Sequence, residues 1–243
     1  MRPEEFGATA TGTELRVRLQ HVYWIGGASG AGKSTIARRF ADLFGLRLYS
    51  TDEAMGDHAR RSTPVSAPFL TRFMSMNMDE RWLNRSPADM LDTFHWFRGE
   101  GFDLIVEDLL HTPAEAGVIA EGFRLLPHLI EPLAAPGHAV WLLPTPAFRR
   151  ATFDSRGTTW DIPNKTTNPK RALVNLLERD QLFTDRLSAE AKRLGLPTIE
   201  IDSGTSEDEL AERLRRPWTS PHSPSSVAKT ERSRRDHQLQ VAS

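Results

Sequence analysis

Residues 27–34, Gly27-Ala28-Ser29-Gly30-Ala31-Gly32-Lys33-Ser34, match the pattern G-x-x-x-x-G-K-[ST] at every fixed position, and Thr35 follows. A loop of this composition brings its backbone N–H groups closer to a chain of phosphates than side chains ordinarily allow. Glycine is needed at the tight points, and Gly27, Gly30 and Gly32 supply it. The helix they open starts near Lys33 and aims its partly positive N-terminus at the anion. Lys33 is expected to reach the β- and γ-phosphates, and Ser34 to offer its hydroxyl to a Mg²⁺ ion bridging them.

The flanks agree with that reading. His21-Val22-Tyr23-Trp24-Ile25 is a β-branched and aromatic run, suited to a buried strand feeding the loop. Ile36, Ala37, Phe40, Leu43 and Phe44 recur at helical spacing after it, and Gly45 is placed to stop the helix. Two rival glycine motifs fail. A dinucleotide fingerprint from Gly30 needs glycine where Thr35 stands, and a nucleophile elbow on Ser29 needs glycine where Ala31 stands.

The chain has 243 residues, 39% of them hydrophobic, enough for one α/β domain over 15–216 between a loose N-terminus (1–14) and a tail. A formal net charge of -1 argues against general nucleic-acid binding. There are no cysteines, which removes disulfides and thiolate metal sites. No run approaches the roughly 18 apolar residues that span a bilayer, and the N-terminus lacks a signal-like stretch, so a cytoplasmic location is expected. The eight histidines form no metal-ligand spacing.

Leu15 to Gln20 alternates apolar and polar residues, which predicts an extension of the first strand or a partner beside it. Leu46–Ser50 reads as a second strand. Strand carboxyl ends face the ligand crevice of an open α/β sheet, so Asp52 is a candidate for taking a proton from an acceptor hydroxyl or ordering Mg²⁺ through water; capping the next helix is the alternative. Residues 53–111 read as helical. Ser86-Pro87 caps a helix carrying Met90, Leu91, Phe94 and Phe97, and a further helix is favoured over a strand at Phe102–Leu110. This lobe holds Arg60, Arg61, Arg72, Arg81 and Arg85 with Trp82, Trp96 and Phe97. Such a mix suits an anionic or ring-bearing substrate, or else a solvated face over a core.

Gly117–Gly122 is the third strand. Glu121 ends its apolar run, where a carboxylate would hold the metal or its water, and Arg124 follows as a candidate for a substrate anion or a surface position. His138–Leu143 is the fourth strand. Residues 147–170 form a helix and then a polar loop, with Arg149 and Arg156 seven apart on one helical face. A long helix from Pro169 to Leu194 repeats Arg179, Arg186 and Arg193 along one side, a solvated face unless the preceding loop folds over it, and of these Arg179 lies nearest the site. Residues 197–202 form the fifth strand and 207–216 the closing helix. From 217 to 243 the Ser/Pro- and Arg-rich composition predicts disorder.

In this order of elements the chain resembles the P-loop kinases, and within them the small-molecule and nucleoside or nucleotide kinases. It is also similar to an actinobacterial group of such proteins that share Gly-Gly-Ala-Ser-Gly-Ala-Gly-Lys-Ser-Thr and the Ala-Glu-Gly-Phe-Arg-Leu-Leu-Pro stretch found here at 120–127. The resemblance implies a three-layer α/β/α fold with a five-stranded parallel sheet, an acceptor lobe after the second strand (53–111) and a short lid (147–170). It implies ATP as phosphoryl donor with Mg²⁺, and lid arginines drawn from Arg149, Arg150, Arg156 and Arg179 closing over the phosphates. Within that frame Lys33, Asp52, Glu121 and Arg156 are the catalytic candidates. Gly27, Ala28, Ser29, Gly30, Ala31, Gly32, Lys33, Ser34, Thr35, Arg150 and Arg179 are the nucleotide-holding candidates.

The activity expected is transfer of the γ-phosphoryl group of ATP to a hydroxyl or phosphate of a small-molecule acceptor. The lobe carries none of the family's substrate motifs. A nucleotide-binding regulator or slow ATPase acting on a protein partner is therefore the alternative. A GTPase switch is disfavoured, since Asn164-Lys165-Thr166-Thr167 lacks the final Asp of guanine recognition.

Overall fold

The computed structural model describes residues 12–115, 117–156 and 162–218. Its centre is a five-stranded sheet in the order β2-β3-β1-β4-β5, every neighbouring pair parallel. The strands are β1 (Val22–Gly27), β2 (Arg47–Ser50), β3 (Val118–Glu121), β4 (Ala139–Pro144) and β5 (Thr198–Ile201). The helices, in chain order, begin with α1 (Gly12–Arg18), α2 (Lys33–Phe44) and α3 (Met55–Arg61). Next come α4 (Pro68–Ser75), α5 (Met78–Trp82), α6 (Pro87–Thr93) and α7 (Phe102–Leu110). The series closes with α8 (Pro127–Ile130), α9 (Pro146–Arg156), α10 (Pro169–Arg193) and α11 (Glu207–Trp218). Three-residue and four-residue 3₁₀ turns cover Pro163–Lys165 and His95–Arg98.

Both sheet faces are apolar because both are covered, as parallel sheets require. Successive β1 residues point to opposite faces. Val22 and Trp24 join Trp141, Ile105, Leu126, Phe97 and Phe183 on one side, beneath α7 and α10. Tyr23 and Ile25 join Ile119, Val140, Leu142, Phe40 and Leu214 on the other, beneath α2 and α11. The three-layer α/β/α architecture expected from the sequence is thus present.

Residues 15–20 depart from expectation. They lie in and just after helix α1, not in a strand, because β1 already has β3 and β4 as neighbours and offers no free edge. Leu15 and Leu19, four apart, turn toward the core instead, and Arg16 hydrogen-bonds the carbonyls of Glu131 and Pro132. The helix expected to carry Met90 through Phe97 stops at Thr93; Phe94 is extended and the 3₁₀ turn follows. The tail expected to be disordered from residue 217 instead starts inside α11, which takes in Pro217 and Trp218; the rest of that tail and most of the N-terminal segment lie outside the described residues. Among the described residues, no helix is long and apolar enough to cross a membrane.

Helices α3–α7 form the lobe between β2 and β3. Phe73, Trp82, Leu83 and Met90 pack against Ala172 and Leu176 of α10, fixing the lobe to the body. Two polar contacts reinforce that joint. The Asn175 amide donates to the carbonyls of Trp82 and Leu83, and Asp79 accepts from Thr167 N (2.8 Å) and Oγ1 (2.6 Å).

Arg124 ties the lobe to the sheet. Its guanidinium donates to Thr51 O (3.3 Å), Gly101 O (3.0 Å) and His58 Nδ1 (2.9 Å), and lies 4.0 Å from the Trp96 ring centroid. Because arginine only donates, His58 Nδ1 must accept, and its Nε2–H then donates to Asp108 Oδ2 at 2.7 Å. Burial pushes the Arg124 pKa down to about 10, leaving it charged at neutral pH. The expectation that Arg124 meets a substrate anion or sits at the surface is replaced by this buried bracket. Arg124→Met should lower unfolding free energy by about 3 kcal/mol, since three buried acceptors lose their donor. Urea denaturation is the check, and an unchanged midpoint would contradict the bracket.

Candidate active site

The parallel register brings the ends of three strands together. Ile25 is level with Glu121, and Glu121 with Ser50. The phosphate loop leaves β1 at that level. Gly27 has φ 129° and packs so closely on the Leu142 backbone that a Cβ would collide with it, while Gly32, in the left-handed region at φ 74°, directly precedes α2. Lys33 is buried at the start of α2 and donates to Ala28 O at 2.8 Å.

Glu121, 1% exposed, stands at the centre. Its Oε1 accepts from Ser34 Oγ (3.1 Å) and Ser50 Oγ (2.9 Å), while its Oε2 is buried with no hydrogen-bond partner. Burial raises the Glu121 pKa; Lys33 and the two hydroxyls pull the other way, and the nearby Asp52 charge adds to the rise. A half-satisfied buried carboxylate is costly in a folded protein. Its free oxygen and the adjoining Ser34 hydroxyl are hard oxygen donors, the kind Mg²⁺ prefers.

A cleft of about 400 Å³ opens from this centre. One end is walled by residues 29–35 and Asp52. The other is walled by Met55, Phe73, Trp82, Phe94, His95, Trp96, Phe97, Phe123 and Ile162, with Arg179 also in the lining. Asp52 is exposed to the cleft, and α3 begins at Met55 behind Ala54, so Asp52 does not cap that helix.

The proposed lid arginines separate. Arg179, expected on a solvated face or beneath the loop, is buried. It bonds Asp180 Oδ1 through Nε and Nη2, lies 5.1–5.2 Å from the rings of Trp82, Phe94 and Phe97, and keeps Nη1 unpartnered. Arg149 is buried against α10, where it bonds Gln181 and Thr184. Arg150 is exposed, 3.4 Å from Asp154 one turn along α9, and does not line the cleft. The Arg156 side chain lies outside the described residues.

Sequence reasoning missed Ser50 and His95. Ser50 closes β2 as Asp52 nearly does, so the rule that selected Asp52 also reaches it. His95 was hidden in the run Phe94-His95-Trp96-Phe97, which reads as core. The lobe arginines do not line the cleft. Arg60 and Arg61 pair with Asp57, Glu107 and Asp108, while Arg81 and Arg85 bond mainly backbone carbonyls.

Comparison with known proteins adds likenesses among solved structures. The chain is similar to a shikimate kinase from Acinetobacter baumannii in complex with shikimate, at 15% identity and a TM-score of 0.43, over 84% of this chain and 95% of that one. No family model matches the chain, and no curated protein does.

Glu121→Gln should raise the melting temperature of the nucleotide-free, metal-free protein near neutral pH. The raised folded pKa means that the acid's full contribution to stability is present at low pH, below its ordinary value, and is lost as pH rises through the folded pKa. The gap between variant and wild type should therefore widen from about pH 4 to about pH 8 in thermal melts. A gap that stays constant or narrows would show that the carboxylate is not strained.

Proposed function

We propose that this chain is an ATP-dependent phosphotransferase acting on a small-molecule acceptor. The observation that carries the reading is the convergence of Ser34 and Ser50 on one oxygen of a buried Glu121 whose other oxygen is free. This group stands beside Lys33 and the glycine loop, at the head of a cleft that continues into an aromatic chamber.

In this reading the loop amides and Lys33 hold the β- and γ-phosphates of ATP, and residues 27–35 shape the cradle. Ser34 and Glu121 fit Mg²⁺, which when bound would neutralise charge on the phosphate oxygens. Ser50 keeps the Glu121 carboxylate oriented. Asp52 accepts the proton of the acceptor hydroxyl as its oxygen bonds the γ-phosphorus and the bond from that phosphorus to the β,γ-bridging oxygen breaks, releasing ADP. The free Nη1 of Arg179 is offered to a phosphoryl oxygen, a charge-assisted contact of the kind that stabilises the transition state. Arg150 and Arg156 of α9 are assigned to closure over the nucleotide.

The chamber's size and walls favour a small molecule over a protein segment gripped by the lobe, so the regulator reading ranks second. A pool of nucleosides, sugars, amino alcohols and ring-bearing alcohols should stimulate ADP release from Mg·ATP. Lys33→Ala should reduce that release by roughly 10²-fold or more. Asp52→Asn should reduce it by a similar factor, roughly 10²-fold, with nucleotide binding retained. Acceptor-independent ATP hydrolysis at an undiminished rate in both variants would refute the assignment.

A further inference from the structure

The chamber beyond the phosphate loop has aromatic walls interrupted by two polar groups, Arg179, which Asp180 holds, and a histidine. His95 is 2% exposed and lines the cleft, with its ring centroid 4.9 Å from Phe73, 4.6 Å from Phe94 and 4.4 Å from Trp96. Its Nδ1 is buried and unpartnered, and no side-chain hydrogen bond ties this ring to any other described residue. Burial, with Arg124 and Arg81 nearby, pushes its pKa down to about 3, so the imidazole is neutral and carries one donor and one acceptor nitrogen. A phenylalanine would fill the same wall without leaving a buried polar atom unsatisfied. The histidine therefore costs the empty protein stability, and a ligand group that pairs with it would recover that cost.

The surroundings say what kind of ligand this is. Besides Lys33 of the phosphate loop, Arg179 is the one arginine or lysine in the described lining; Asp180 bonds it twice, and its remaining free Nη1 is the group assigned above to a phosphoryl oxygen of the nucleotide. An acceptor bearing its own carboxylate or phosphate would enter the aromatic end without a dedicated counter-charge. Flat rings of Trp, Phe and His instead suit a ring, through offset or edge-on packing.

Resting on the phosphotransferase reading above, we propose that the acceptor is an uncharged alcohol bearing an aromatic ring: its ring packs against Trp82, Trp96 and Phe97, and a polar substituent other than the transferred hydroxyl pairs with His95 Nδ1. His95 is then the specificity-determining residue of the chamber. A site built to hydrogen-bond a substituent rejects the analogue that lacks it, because the protein group is left unpaired.

The test compares 4-hydroxybenzyl alcohol with benzyl alcohol, using sorbitol and glycerol 3-phosphate as ring-free controls, by ligand-observed NMR titration of the full chain. The wild type should bind 4-hydroxybenzyl alcohol roughly fivefold or more tighter than benzyl alcohol, the worth of about one neutral hydrogen bond. His95→Phe should bind the two equally, and should melt higher than the wild type when empty. The proposal is overturned by equal binding in the wild type, by a preference that survives in His95→Phe, by tighter binding of a ring-free control, or by a destabilised variant. These titrations involve no turnover, so the two readings fail separately. Phosphorylation of a sugar in the acceptor pool would sink the aromatic class and leave the phosphotransferase standing. His95-dependent ring binding with no acceptor-stimulated ADP release would do the reverse.

Discussion

The site depends on the parallel register of β2, β3 and β1. Hydrogen-bonded ladders place Ser50, Glu121 and Ile25 side by side at the carboxyl edge, and the glycine loop springs from the same edge two residues later. Parallel strands need long crossovers, and here one crossover is α2 while another is the whole α3–α7 lobe. A slip of one residue in β3 would turn Glu121 to the opposite face of the sheet and separate it from Ser34 and Ser50. Val118 and Ala120 face one covered side of the sheet and Ile119 the other.

Stability and function pull against each other at two buried groups. Glu121 keeps an unpartnered oxygen at the phosphate end, and His95 keeps an unpartnered nitrogen at the aromatic end. Both are held by well-satisfied neighbours. Ser34 and Ser50 fix the carboxylate, and the Arg124 bracket holds Trp96, against which His95 packs edge-on. Rigid surroundings around an unsatisfied group are what preorganisation requires, since neither group must reorient when a partner arrives.

Much of this was legible in the sequence because it is local. The loop is a contiguous motif, the five strands are short apolar runs, and Asp52 and Glu121 follow from their position after such runs. What was not legible depends on which elements meet. The alternation at 15–20 is ambiguous by itself, and only the absence of a free edge beside β1 makes it a helix. Arg179 shares a helical face with the exposed Arg186 and Arg193 and Arg149 reads as a lid residue, yet the lobe covers Arg179 and Arg149 bonds α10, so both are buried. Trp82, Trp96 and Phe97 were expected either as core or as a ring-binding surface. They are core on one side and chamber wall on the other, which spacing along one helix does not encode.

The most direct measurement is the fate of the γ-phosphorus of ATP, followed by phosphorus NMR with the protein, Mg²⁺ and the acceptor pool. A new phosphomonoester resonance growing in step with ADP is the result this account predicts. Inorganic phosphate alone, formed at the same rate with and without the pool, would contradict it.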